Sequence, residues 1–127
     1  MNDTELLRKL KQLKIEDFIW VIYVGIIIAS WYSNKLERNY FIYNDLKSKE
    51  QYRQIIIGIF SILIVVYLYF LNDSYQDLLQ IDFNNLKEKD YLTILSFIAS
   101  FLIAISGFIF LYIAIKDKDI NVELAFN

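Results

Sequence analysis

The longest uncharged stretch of the sequence is LTILSFIASFLIAISGFIFLYIAI, residues 92–115. It lies within 25 uncharged residues between Asp90 and Lys116. A helix of about 20 mostly apolar residues is long enough to cross the hydrocarbon core of a bilayer, which is about 30 Å thick. Amphipathic helices of water-soluble proteins carry charged or strongly polar residues on the solvent face every three or four positions, and this stretch does not. It therefore predicts a membrane-spanning helix over 91–115.

Two further uncharged runs precede it. Nineteen uncharged residues lie between Arg53 and Asp73, and 17 lie between Asp17 and Lys35. The longer run meets the length requirement, and the shorter one meets it if the helix tilts or the bilayer thins locally. We expect spans over 18–34, 53–72 and 91–115. The predicted fold is all-α: one integral membrane domain over 1–127, with three transmembrane helices plus short amphipathic interfacial helices.

Composition restricts the chemistry. Hydrophobic residues make up 57% of the chain, its formal net charge is −2, and it contains no Cys and no His. The commonest general base and metal ligand is therefore missing, and no basic surface for nucleic acid is indicated. The uncharged runs of the predicted spans contain no ionisable Asp, Glu, Lys or Arg, which proton relays and ion-coupled transporters need. We expect no enzyme activity, no cofactor, no bound metal and no nucleic-acid partner. The 22 Ile residues and many Phe, Tyr, Asn and Lys residues indicate a bacterial genome of low G+C content.

The segments outside the spans have distinct patterns. Residues 3–15 place three Leu on one helical face among basic residues, which is typical of a helix on the membrane surface, although a solvated tail is the alternative. Asn2 and Glu5 have the spacing of a helix cap. The basic loop over 35–52 has an amphipathic pattern that could continue the first span along the interface. Within it, Ser48 and Gln51 match a capping box for the second span.

The acidic loop over 73–90 is interpreted as a solvated segment. Ser74 and Asp77 have capping spacing there, and Asp90 can cap the third span. A short tail follows over 116–127. Five Lys or Arg residues lie in the segment from Lys35 to Arg53, and two lie between the second and third spans. Because basic residues favour the cytoplasmic side, the first loop and the carboxyl terminus of this multi-pass cell-membrane protein are expected in the cytoplasm.

Aromatic and small residues supply the candidate site residues. Amphipathic rings prefer the headgroup level, so interfacial anchors are expected at the span ends, namely Trp20, Trp31, Tyr91 and Tyr112. Small side chains on one helix face let two helices approach closely. They recur along one stripe of the third span and, more sparsely, in the first. The predicted helix-packing residues are Gly25, Ala29, Ser96, Ser100, Ala104 and Gly107.

Three functional hypotheses fit these features. The first is a non-enzymatic accessory or interaction subunit that packs in the lipid bilayer against a second copy or another membrane protein. The second is a homo-oligomeric, holin-like pore in which Ser96 and Ser100 face the lumen. The third is an immunity-type protein that shields the membrane. In size and span number the chain resembles holins and bacteriocin-immunity proteins of Gram-positive bacteria, although the tail KDKDINVELAFN is not strongly basic as holin tails commonly are.

Membrane integration is testable by extraction. We expect the protein to stay in the membrane pellet after carbonate or urea washing and to require detergent, because spanning helices cannot leave lipid without exposing their apolar surface to water. The measurement is immunoblotting of pellet and supernatant. Release by salt or alkali would contradict the prediction, because only peripheral helices detach under those conditions.

Overall fold

Three long helices make up the part of the chain that the computed structural model describes, residues 2–116. They are α1 (Asp3–Tyr43), α2 (Leu46–Leu78) and α3 (Glu88–Lys116). No strand occurs within residues 2–116, so the all-α prediction is confirmed. The predicted tail, beyond Lys116, and its cytoplasmic placement lie outside the described residues.

The first helix is longer than the expected span. The sequence predicted a surface helix over 3–15, a span over 18–34 and a basic amphipathic loop over 35–52 that could continue the span. One continuous helix of 41 residues runs from Asp3 to Tyr43, so the helix does continue into the basic segment and the surface helix is not separate from it. The chain has no Pro, so nothing removes a backbone donor or forces a kink along this helix. Its length is about 61 Å, twice the thickness of a hydrocarbon core. Within residues 2–116 the expected interfacial helices are thus parts of longer helices and not separate elements.

Local side-chain chemistry sets both ends of α1. The backbone N–H of Glu5 donates to the Asn2 side-chain oxygen at 2.8 Å, which confirms the predicted cap. The helix ends at Asn44, whose backbone is left-handed (φ 52°, ψ 40°). Asn tolerates this conformation better than most residues and so ends a helix much as Gly does.

Asp45, and not Ser48, opens α2. Its carboxylate accepts hydrogen bonds from the backbone N–H groups of Lys47 (3.1 Å) and Ser48 (3.4 Å). The Ser48 hydroxyl donates to the same carboxylate at 2.8 Å. The predicted capping box of Ser48 and Gln51 is therefore wrong, because Ser48 already lies within the first turn of α2. Asn44 and Asp45 alone connect α1 and α2, which makes a tight helical hairpin.

The second connection also differs in its bounds. Helix α2 continues to Leu78, so Ser74 lies inside the helix and does not cap a new one. Residues 79–87 connect it to α3 and include a turn in which the Asn84 backbone N–H donates to Asp82 at 3.0 Å. The Asp90 carboxylate accepts from the Lys87 backbone N–H at 2.9 Å. Asp90 therefore contributes to the cap of α3, but from within its first turn and not from ahead of the helix, as the predicted span over 91–115 implied.

The described chain divides into two compact units, Met1–Ile55 and Ile56–Asn127. In the first unit α1 buries one stripe of residues, Ile19, Ile26, Ser30, Ser33 and Leu36. From α2 the first unit buries Ser48 and Tyr52, which is 2% exposed. The Ser33 hydroxyl donates to the Ser30 carbonyl at 2.7 Å. Near the hairpin, the Lys49 ammonium lies 5.2 Å from the centre of the Tyr40 ring, a cation–π contact between α1 and α2.

The Asp45 cap predicts a pH-dependent contribution to stability. The hydrogen bond from the Ser48 hydroxyl is the main factor that lowers the pKa of Asp45 below its usual 3.8. A depressed folded-state pKa means that the ionised cap stabilises the fold above the unfolded pKa and that this is lost as the pH falls through the folded value. We expect Asp45→Ala to lower the thermal unfolding midpoint in detergent at neutral pH, and Asp45→Asn to lower it less. The gap between wild type and Asp45→Asn should shrink below pH about 4. A gap that is constant with pH would contradict an ionised cap.

Candidate helix-packing interface

In the second unit, α2 and α3 pack antiparallel along most of their length. Phe60 stacks on Phe110 with ring centres 5.4 Å apart and an angle of 11° between the planes. At the other end of the pair, Tyr75 and Phe97 have ring centres 6.1 Å apart. Residue numbers rise on α2 as they fall on α3, which defines the antiparallel pairing. These aromatic contacts mark the two ends of the interface.

Gly107 lies at a close contact between these helices. A Cβ atom placed on it would lie 3.0 Å from Cδ2 of Tyr67 and 3.2 Å from Cγ1 of Ile64. Both distances are tighter than ordinary van der Waals contact, so a Cβ at this position would require the Tyr67 or Ile64 side chain to shift by a few tenths of an ångström, and a larger side chain would require more. Ala104 and Ala114, also on α3, are 4% and 2% exposed. The tight packing thus depends on small residues on α3 facing large ones on α2.

A polar contact lies between the aromatic pairs. The hydroxyls of Ser74 and Ser100 hydrogen-bond to each other at 3.1 Å, and both side chains are half-buried. Such a bond between helices satisfies two polar groups that lipid would leave unpaired. It also fixes the register of α2 against α3, because a shift along either helix separates the two oxygens.

The predicted packing residues fall into two groups. On α3, Ser100, Ala104 and Gly107 face α2, whereas Ser96 is exposed. On α1, Ala29 is half-buried, and Gly25 is exposed with no atom within 4 Å of its Cβ position. The structure therefore brings the central part of the α3 stripe into an interface and leaves Ser96 and Gly25 open.

All four predicted anchors are exposed rings. The exposed fractions are 66% for Trp20, 79% for Trp31, 55% for Tyr91 and 63% for Tyr112. Their side chains are consequently available to the surroundings of the protein. Trp20 has one ring contact within α1, an edge-on approach to Tyr23 with centres 5.7 Å apart.

The outer surface of the second unit is strongly apolar. Two helices in the described residues, α2 and α3, are long and apolar enough to cross a membrane. In the most apolar stretch of α3 only 11% of the residues are buried inside the protein, compared with 33% in α2. Exposed side chains such as Leu95, Leu102 and Ile109 would be unfavourable in water. This surface requires an apolar environment or a covering partner.

A second small-residue surface lies on the opposite side of α2. Gly58 is exposed and has no atom within 4 Å of its Cβ position. Ser61, one turn later, is also exposed, and its hydroxyl donates to the Ile57 carbonyl of its own helix at 2.8 Å. Gly58 and Ser61 form an open notch on α2, flanked by the exposed Ile62 and Val65.

Sequence reasoning missed the α2 side of the internal interface. Tyr67 was given no packing role, and Ser74 was interpreted as a helix cap. The positions of Gly107 and Ser100 on the small stripe indicated that something packs there. Nothing in the local pattern of α2 identified Tyr67 and Ser74 as the partners, because that requires the register of the two helices.

The two glycines form a matched pair for testing this interface. Gly107→Leu should lower the free energy of unfolding by about 1–3 kcal/mol, because the new side chain overpacks against Tyr67 and Ile64. Gly58→Leu adds the same atoms to an open surface and should leave that free energy unchanged, or raise it by up to about 1 kcal/mol through better helix propensity. The measurement is reversible unfolding of dilute protein in detergent micelles. Equal effects of the two substitutions would contradict the assigned interface.

The site thus consists of a closed interface between α2 and α3 and an open notch on the far side of α2. In residues 2–116 no cluster of three His, Cys, Asp or Glu side chains could hold a metal ion. No family model, curated protein or solved structure matches this chain.

Proposed function

We propose that this chain is a multi-pass protein of the cell membrane with three spans, which acts as a non-enzymatic accessory or interaction subunit through helix–helix packing in the bilayer. Its partner is a second copy of the chain or another membrane protein. The observation that carries the proposal is the open notch of Gly58 and Ser61 on α2, which lies outside the face that α2 uses against α3.

The membrane placement rests on the exposed apolar surface. Helices α2 and α3 have the length and composition of spans, and most of the apolar surface of α3 has no cover within the protein. For α1 the support is the run of 17 uncharged residues between Asp17 and Lys35, which lies inside one unbroken helix. An α-helix satisfies its own backbone hydrogen bonds, so an uncharged run of this kind is tolerated in lipid.

The interaction role rests on what small residues do in membranes. Lipid gives helices no hydrophobic reason to associate, so association depends on close packing that small residues permit. Within the second unit, Gly107 serves this purpose for α3 against α2. Gly58 offers the same geometry on the outside of α2, with no occupant. The exposed Ser96 of α3 is a further small position open to a partner.

The pore hypothesis receives less support from the geometry. It requires Ser96 and Ser100 to face a water-filled lumen, but the Ser100 hydroxyl is bonded to Ser74 at the interface with α2. Spans without ionisable residues also offer no proton relay or ion site. The orientation that we propose places the hairpin between α1 and α2 in the cytoplasm, on the basis of its five basic residues.

Association through the notch can be tested in native membranes. Two differently tagged copies are co-expressed, and one tag is used for capture after mild detergent extraction or cross-linking. We expect Gly58→Leu to reduce recovery of the second copy severalfold, because the added side chain fills the space that a partner helix needs. Gly25→Leu, at an open glycine on α1, is the matched control and should retain recovery. Unchanged recovery with Gly58→Leu would exclude the notch as the surface for self-association.

If wild-type copies do not recover each other, the partner is another membrane protein. A photo-cross-linking residue at Ser61 then identifies it, with the same Gly58→Leu substitution as control. A cross-link that persists in the Gly58→Leu variant would contradict the proposal.

A further inference from the structure

A groove on the outer face of α1 combines apolar, aromatic and basic side chains in a fixed order. It has a volume of about 370 Å³ and is lined by Ile28, Trp31, Tyr32, Lys35 and Arg38. At 100° per residue these five positions fall within an arc of about 120°, and they extend about 15 Å along the helix axis. All five belong to the first unit and to one continuous helix, so their order is set by α1 alone.

This face is not used for packing within the protein. Ile28, Trp31 and Tyr32 are 61%, 79% and 52% exposed. The buried stripe of α1, which includes Ser30 and Ser33, lies on the opposite side of the helix. In a membrane-embedded α1, the groove therefore faces outward at the end of the uncharged run, where hydrocarbon gives way to headgroups.

The order of the side chains matches the order of groups in a phospholipid. Ile28 lies at the depth of acyl chains, and Trp31 and Tyr32 lie where aromatic rings prefer the level of the ester and headgroup region. Lys35 and Arg38 follow, and an Arg guanidinium binds phosphate oxygens through two parallel hydrogen bonds. Basic residues next to a span attract anionic lipids.

The charge of the groove favours an anionic lipid over a zwitterionic one. Among residues 2–116, the side chains that line it include two cations and no carboxylate. Tyr32 also lines a neighbouring groove with Gln51, Gln54 and Ile55, which are uncharged. The lining residues of the neighbouring groove therefore place no negative charge beside Lys35 and Arg38.

We propose that this groove is a binding site for one anionic phospholipid, whose phosphate is held by Lys35 and Arg38 and whose glycerol region packs against Trp31 and Tyr32. The site rests on the proposed membrane placement of α1. It adds a specific lipid ligand that the interaction role does not require.

The two tryptophans of the chain provide the readout. Trp20→Phe leaves Trp31 as the only tryptophan, within the groove, and Trp31→Phe leaves Trp20 outside it. Each variant is reconstituted in phosphatidylcholine vesicles that contain equal mole fractions of either brominated phosphatidylglycerol or brominated phosphatidylcholine. Bromine quenches tryptophan fluorescence at short range, so the ratio of quenching by the two lipids reports a preference at each ring.

We expect brominated phosphatidylglycerol to quench Trp31 more strongly than brominated phosphatidylcholine, with little preference at Trp20. Each cation should contribute about fivefold to the relative binding constant. Lys35→Gln with Arg38→Gln should abolish the preference. Lys35→Gln alone should lower the preference about fivefold. Lys47→Gln, which removes the same single charge from the exposed first turn of α2, should retain it.

Equal quenching of Trp31 by the two lipids would overturn the site. An equal loss of preference in Lys35→Gln and Lys47→Gln would also overturn it, because it would indicate only general attraction of anionic lipid to a charged surface. Quenching of Trp31 that free glycerol phosphate relieves would show a soluble phosphate site and not a lipid site. Failure of both lipids to quench either tryptophan would show that α1 is not in the membrane. That result would overturn the three-span placement and the lipid site together, whereas the other outcomes leave the placement intact.

Discussion

The apolar surface that α3 leaves uncovered is the constraint on which the rest of the structure depends. Water penalises exposed apolar area roughly in proportion to its size, and side chains such as Leu102 (57% exposed) and Phe101 (48% exposed) lie on the outside of α3. A bilayer removes that penalty but supplies no hydrogen-bonding partners to a bare backbone. Continuous helices suit such an environment, because their backbone N–H and C=O groups are hydrogen-bonded within the helix and their apolar side chains point outward.

In a bilayer, an apolar side chain is as stable in lipid as in the protein interior. Helices in lipid are therefore held together by close packing and by hydrogen bonds between polar groups. The contact between α2 and α3 follows this logic, with a glycine under a tyrosine ring, two stacked phenylalanines and one hydroxyl pair. For the same reason Gly58, an open small residue outside this interface, is the proposed contact for a partner helix. The internal interface uses α3 and one face of α2, and the notch leaves the opposite face of α2 for a partner.

The side chains of helix α1 change in character along its length. The helix is about twice as long as a bilayer core is thick, so in the proposed three-span placement part of α1 would lie beyond the hydrocarbon region. The groove from Ile28 to Arg38 lies at the expected boundary between the two environments, and its side chains change from apolar to aromatic to basic in that direction. Lipid contact on this face and partner contact on α2 involve separate surfaces, so the two proposals can be true independently of each other.

Much of the fold could be predicted from local sequence, because its determinants are local. The three uncharged runs predicted a helical chain, and Asn2 was identified as a cap from its position within one turn of Glu5. Helix bounds were less accurate. With no Pro in the sequence, α1 includes the surface segment over 3–15 and continues to Tyr43. At the hairpin the left-handed Asn44 placed Asp45, and not Ser48, at the start of α2.

Only the tertiary structure decided which small residues are used inside the protein. Ser96, Ser100 and Gly107 share one stripe of α3, and periodicity alone cannot separate them. The register against α2 pairs Ser100 with Ser74 and places Gly107 beside Tyr67, while Ser96 remains exposed. A helical pattern defines a face but not its partner, because the partner depends on where two helices meet along their axes. Local sequence is sufficient to define the helices and their apolar exterior, whereas the packing of α2 on α3 defines which part of that exterior remains open.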